Sequence, residues 1–202
     1  MGNLPRLRGF IQSFTRLIET SGSDEPHVLA EGRKLLADLI GHDDWLPDAF
    51  AQPDPERYRQ YLLYCDPMER FSVVSFVWGP GQTTPVHDHT VWGMVGVMRG
   101  AETCEEFALD PASGRLRTSG SHELKAGGID LVSPRIGDIH RVSNALADRA
   151  SVSIHVYGGN IGAIRRHVFE PASGATKPFV SGYSNTVIPN LWDRSGEPAA
   201  AA

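Results

Sequence analysis

With 202 residues, of which 41% are hydrophobic and 21% charged, the chain is long enough to bury a core and too short for two independent domains of ordinary size. A formal net charge of −5, with no run of Lys or Arg longer than two, disfavours nucleic acid as a partner. No apolar stretch approaches the roughly 20 residues that span a bilayer, and the start, Met1-Gly2-Asn3-Leu4-Pro5-Arg6, lacks an apolar leader. The expectation is a soluble, cytoplasmic protein with no membrane partner. Cys65 and Cys104 lie far apart and outside any Cys-x-x-Cys arrangement, which removes a zinc knuckle or a thioredoxin-like pair and suits free thiols in a reducing compartment.

In chain order, Leu4, Leu7, Phe10, Ile11, Phe14, Leu17 and Ile18 follow the i, i+3, i+4, i+7 pattern of an amphipathic helix. After the turn signals of Ser21-Gly22-Ser23-Asp24-Glu25-Pro26, the positions Val28, Leu29, Leu35, Leu36, Leu39 and Ile40 repeat that period, and Gly41 stands as a C-terminal cap. Beyond Asp54-Pro55 the texture changes. The runs from Tyr58 to Cys65 and from Phe71 to Trp78, separated by Asp66-Pro67-Met68-Glu69-Arg70, predict two hairpin-linked strands. From there to Phe179, short Val, Ile, Phe and Thr runs recur between Gly, Pro and Asp turns at about 10-residue intervals, which predicts a mainly β protein, an antiparallel sandwich or barrel. The expected layout is a single domain over 1–202: a helical extension in 1–45, a β core in 56–180, and a tail in 181–202. The aromatic part of that tail is expected to pack across the barrel, and its alanine-rich end to fray.

Within the β region, His87 and His89 follow the turn-rich segment Gly79-Pro80-Gly81-Gln82-Thr83-Thr84-Pro85. Along a strand, side chains i and i+2 share a face, so both imidazoles can approach one ion while Asp88 points away. His140, just past the Gly137 turn in a second β-like run, is the candidate third ligand. A lone histidine is more often a hydrogen-bonded core residue than a ligand, and it is the spacing that raises His140 above that reading. His27, His42, His122 and His167 have no such context and read as structural or solvated. Ser153, His155 and Tyr157 stand at i, i+2 and i+4 of a β-like run, so they share one face and can form a hydrogen-bonded row; the plainer alternative is a polar ladder across a barrel.

Taken together, Gly81-x5-His87-x-His89-x3-Gly93-x6-Gly100 and Gly128-x5-Pro134-x2-Gly137-x2-His140-x3-Asn144 resemble the two cupin motifs. The resemblance implies a double-stranded β-helix. Where a cupin usually places an acidic fourth ligand, this chain has Gly93. That gap, with Ser153-Ile154-His155-Val156-Tyr157, resembles the thiol dioxygenases of the cysteine dioxygenase superfamily. The runs Phe71–Gly81 and His155–Gly162 are similar to the bacterial 3-mercaptopropionate dioxygenases. What this implies is a non-haem Fe(II) enzyme held by His87, His89 and His140, converting a small carboxylate-bearing thiol and O2 to the sulfinic acid, with Ser153, His155 and Tyr157 as a relay. Three neutral imidazoles leave the charge of the ion intact, which favours an anionic thiolate, and Fe(II) can engage dioxygen where Zn(II) has no redox chemistry.

The resemblance also bears on the substrate. A planar carboxylate in a partly desolvated pocket calls for a bidentate Arg. The early-strand Arg of animal cysteine dioxygenases matches Gln60 here. Bacterial mercaptopropionate dioxygenases share that Gln and place their Arg at the position of Arg166, with the adjacent Arg165 as fallback. At Gly93 the animal enzymes carry a cysteine cross-linked to the relay tyrosine, so Tyr157 is expected to be an unmodified phenol. The prolines that follow that tyrosine are Gly158 and Gly159 here, an exchange expected to leave room for a differently placed Arg. The implied partners are a small thiol, 3-mercaptopropionate ahead of L-cysteine, and O2, in a monomer or weak homo-oligomer. The rival readings are a cupin of another enzyme class and a non-catalytic metal-sensing cupin.

Overall fold

In the computed structural model, which describes residues 3–110 and 112–194, two helices open the chain: α1 (Leu4–Ser21) and α2 (Glu25–Ile40). Each has a proline in its first turn, where a missing N–H is harmless. Asp24 caps α2 by accepting from the His27 N–H. Gly41 ends α2 as expected, but in the right-handed conformation (φ −65°). What suits glycine there is space, because a Cβ would sit 3.1 Å from the Ala37 carbonyl.

Among the described residues eleven strands follow: β1 (Arg59–Cys65), β2 (Ser72–Trp78), β3 (Val86–His87), β4 (Gly93–Arg99), β5 (Ala101–Leu109), β6 (Leu116–Lys125), β7 (Ile129–Val132), β8 (Ile139–Asn144), β9 (Ser151–Tyr157), β10 (Arg166–Phe169) and β11 (Thr176–Phe179). They form two antiparallel sheets, ordered β1-β2-β9-β4-β7 and β11-β10-β3-β8-β5-β6. The predicted hairpin of β1 and β2 is present, its turn tied by the Asp66 carboxylate to the backbone of Met68 and the side chain of Arg70. Two sheets wound from alternating strands behind a pair of helices make the mainly β cupin architecture, a double-stranded β-helix.

The five-stranded sheet is buried on both faces, and this positions the site. On its outer face Val73 and Val77 of β2, Met94 and Met98 of β4, and Val152, Ile154 and Val156 of β9 join Phe10, Phe14, Leu36 and Leu39 of the helices in one core. On its inner face Val74, Phe76 and Trp78 of β2 pack with Tyr157 of β9 and Val142 of β8. Strands buried on both sides lose the apolar and polar alternation of a half-wet sheet, which is why β2 reads as a continuous apolar run. Glycine lets the helices settle closely: a Cβ at Gly96 would lie 2.9 Å from Ile40, and one at Gly32 2.4 Å from Met94.

The tail is only partly packed. Ser184 and Asn185 hydrogen-bond β1, and Leu191 is buried in the helical core, where its carbonyl accepts from Arg8. Tyr183 packs on the inner core as the tail was expected to, its hydroxyl bonded to Asn160 and the Gly162 N–H, whereas Val187, Ile188 and Trp192 are exposed. The expected fraying at the extreme C-terminus concerns residues 195–202, which lie outside those described. Among the described residues no helix is long and apolar enough to cross a membrane.

Phe14 is fully buried against Phe10, Phe71 and Trp92, on the face away from the inner cavity. Phe14→Ala is expected to cost about 3–5 kcal/mol in denaturant unfolding while leaving metal content per folded molecule unchanged.

Candidate metal centre

Strand register brings the histidines together. His87 of β3 is paired directly with His140 of β8. His89 follows in a loop, because β3 ends at His87. The expectation that both members of the pair ride one strand is therefore corrected: the loop turns at Thr90, whose φ is +61°. What holds His89 is Asp138, whose carboxylate accepts from the backbone N–H of His89 (3.1 Å) and of Thr90 (2.9 Å) and from the ring Nδ1 of His89 (2.9 Å). Asp88 points away, as expected, and pairs with His167.

The three rings form a nearly equilateral triangle, with centroids 4.8 to 4.9 Å apart. Their candidate donor atoms all lie within 4.8 Å of one another, and all three residues are buried. Each Nδ1 is engaged from behind: His87 donates to the Pro85 carbonyl at 3.1 Å, His89 faces Asp138, and His140 lies 3.6 Å from the Cys104 sulfur. The Pro85 carbonyl and the Asp138 carboxylate put the proton of His87 and His89 on Nδ1 and leave the Nε2 of each with a free lone pair. Burial pushes the His87 pKa down to about 3 and holds His140 well below its usual value, so both stay neutral. The His89 Nε2 is buried with no hydrogen-bond partner, an orphan that a metal ion would satisfy. Three imidazoles with no carboxylate among them suit a divalent transition ion.

Gly93 of β4 is paired with Tyr157 of β9, and a Cβ there would lie 2.7 Å from the tyrosine Cδ1. The place of a fourth ligand is filled by the phenol ring. Neither cysteine substitutes there: both are free, and Cys104 instead backs His140. Burial raises the Tyr157 pKa, so it remains a phenol.

Ser153, His155 and Tyr157 face inward from β9 as one row, with Ser153 Oγ 2.8 Å from His155 Nε2 and His155 Nδ1 2.7 Å from the Tyr157 hydroxyl. Phe76 stacks on the His155 ring at 4.1 Å and the Trp78 indole N–H donates to Ser153 at 3.3 Å. A cavity of about 650 Å³ opens in front of His87, His140, His155 and Tyr157. Arg166 enters it from β10, whose Val168 is paired with His87; two residues from Val168, Arg166 shares the His87 face. Arg166 is buried, donates through Nη2 to Ser181 Oγ at 2.6 Å and stacks on Phe179, yet its Nε has no partner. Arg165 is exposed and lies outside the cavity. Gln60 lines the cavity but commits its amide hydrogens to Ser181 Oγ and the Gly182 carbonyl. The space expected beside Gly158 and Gly159 is taken by Trp92 and Ile164, whose atoms would meet a Cβ at 2.4 and 2.7 Å, and not by an arginine.

A cupin barrel with three inward histidines and no carboxylate ligand defines a metal-site class. The chain belongs to the cysteine dioxygenase type I family, whose profile matches residues 35–169. It is 25% identical over 157 residues to cysteine dioxygenase type 1 of Danio rerio, covering 76% of this chain and 71% of that one. Solved structures overlap more loosely. A Klebsiella pneumoniae protein with a double-stranded β-helix domain shows a TM-score of 0.45 at 20% identity, over 56% of this chain and 82% of that one. An oxalate oxidase in complex with the substrate analogue glycolate shows 0.43 at 19%, over 59% and 60%.

Asp138, Trp78 and Ser181 were not singled out from sequence. Asp138 carried a signal in its position two residues before His140. Replacing His87, His89 or His140 by Ala is expected to abolish metal loading, measured as bound metal per protein. Asp138→Asn should keep the fold and weaken metal affinity by about 10- to 100-fold; unchanged affinity would show that the Asp138 contact does not orient His89.

Proposed function

We propose that the protein is an Fe(II)-dependent thiol dioxygenase acting on a small thiol that carries a carboxylate and no amino group, with 3-mercaptopropionate as the leading substrate. The observation that carries this is Arg166: a buried guanidinium with an unpartnered Nε, facing the cavity, with no carboxylate in ion-pair distance among the described residues. A buried charge left without a counter-charge is costly, and an incoming carboxylate would relieve it through bidentate geometry. Ser181, which accepts from both Arg166 and Gln60, fixes the fork in place. The role of Gln60 on this reading is to brace that arrangement.

The charge of the cavity favours the des-amino substrate. Arg57, Lys177, Arg166 and Arg59, the last paired with Asp54, line it, and among the described residues no Asp or Glu does. The ammonium of cysteine would find no counter-charge there, whereas a thiolate carboxylate complements the site at both ends.

Fe(II) on the three imidazoles would supply the activation of dioxygen beside the substrate sulfur, both oxygen atoms passing to sulfur with electrons from the thiolate. The chain's own residues do the rest. Phe76, Trp78 and Tyr58, stacked within 6.1 Å of one another by ring centroid, keep water from the row. Tyr157 offers its hydroxyl to the substrate or oxygen, and Ser153 and His155 orient it.

Oxygen uptake with 3-mercaptopropionate, L-cysteine and cysteamine, on protein of known iron content, tests the reading. The expected order of kcat/KM places 3-mercaptopropionate first, and no sulfinate from any of these thiols would refute the activity. Arg166→Ala should raise KM by about 10- to 100-fold, the worth of a lost charged hydrogen bond, with iron content unchanged. An unaltered KM would remove Arg166 from the substrate site.

A further inference from the structure

The chain passes from β6 to β7 through residues 126–128, and in doing so it changes sheet: β6 ends the six-stranded sheet and β7 ends the five-stranded one. The two strands do not pair, so past the turn their contact is made by side chains. His122 of β6 is paired directly with Cys104 of β5, and both project from one face of their sheet. Asp130 of β7 meets that face from the opposite sheet, its Oδ2 lying 2.7 Å from His122 Nε2. One sulfur, one imidazole nitrogen and one carboxylate oxygen thus stand within 4.8 Å of one another. We propose that Cys104, His122 and Asp130 form a second metal site, one that takes zinc and staples the two sheets at this open edge.

The donor set selects the ion. Sulfur and imidazole favour a borderline-soft cation over magnesium or calcium, which take oxygen. Zinc accepts S, N and O ligands tetrahedrally, with donor atoms about 3.5 Å apart, so the close His122–Asp130 contact opens to admit it. The ion takes the place of the thiol proton, which passes to water, and no electron moves. Cys104 is buried, while the His122 side chain is 37% exposed, which leaves an entry path and room for water as a fourth ligand.

The surrounding charge is unbalanced in the direction that a cation corrects. A cavity of about 280 Å³ has Cys104, Glu106, Asp130 and Asp138 on its wall and, among the described residues, no Lys or Arg. Asp138 is committed to His89. Asp130 and Glu106 have only His122 within ion-pair distance, Glu106 Oε1 standing 4.0 Å from its Nδ1. Two carboxylates therefore share one imidazole. His140 lines both this acidic cavity and the cationic one on its other side, and its Nδ1 is 3.6 Å from the Cys104 sulfur. The second site is back to back with the histidine triad and shares no ligand with it.

The proposal does not depend on the dioxygenase reading. Its test is a Co(II) titration of the full chain in thiol-free buffer, the triad already loaded with iron under argon, with metal counted per protein. The expected result is a further equivalent of metal together with a near-ultraviolet sulfur-to-cobalt charge-transfer band, a signature that three imidazoles cannot produce. Cys104→Ser and His122→Ala should each lose the band and the added equivalent, and Cys65→Ser should keep both. Zinc should erase the band by displacing cobalt, and it should raise the Tm of the iron-loaded wild type but not of His122→Ala. Wild-type protein that takes up cobalt without the sulfur band, or takes up none, overturns the proposal with no variant needed. A band that survives His122→Ala, or that disappears in Cys65→Ser, overturns it as well. If the triad failed to hold iron, the triad assignment would fall while the sulfur band would still report this site.

Discussion

The site depends on β9 being buried on both faces. Its odd-numbered inner positions Ser153, His155 and Tyr157 form the hydrogen-bonded row, and Val152, Ile154 and Val156 between them are held in the helical core. The pleat allows no slippage here, since a shift by one residue would send three valine-type side chains into a polar cavity and three polar groups into an apolar core. The helices therefore serve the chemistry at a distance. By burying the outer face of the sheet, they fix the register that aims the inner one.

The same logic extends across the second sheet. His87, His140 and Arg166 come from strands β3, β8 and β10, and direct pairing sets their spacing: His87 opposite His140, and Val168 opposite His87. Only His89 lies beyond the ladder, and there a carboxylate replaces the strand. Asp138 binds two backbone amides and the ring of the loop it steadies. Sheet register positions two of the clustered histidines and Arg166, and one hydrogen-bonded acid positions the third histidine.

Much of this was legible in the sequence, for identifiable reasons. The helices showed because one face of each is apolar at helical period, and the row in β9 showed because polar groups at alternate positions of an apolar strand share one face. The histidine pair was legible through its spacing, although the strand assumed to carry it stops short. The choice between Arg165 and Arg166 required register, since adjacent residues face opposite ways and only pairing with β3 and β11 says which is inward. The glycines after Tyr157 misled because an absent side chain in one residue can be filled by a neighbour, here Trp92 and Ile164.

Gly93 links the metal chemistry to the row. A fourth protein ligand and the Tyr157 ring compete for one volume, since even a methyl group at position 93 would come within 2.7 Å of that ring. A cupin that retains an acidic ligand at this position must place its inner aromatic group elsewhere. This chain keeps the phenol, and two consequences follow together: no protein carboxylate joins the three imidazoles, and the Tyr157 hydroxyl is held in the row by His155. Clustered imidazoles, a cavity lined by cations and a tyrosine held in the row are thus one arrangement, made possible by the smallest side chain in the site.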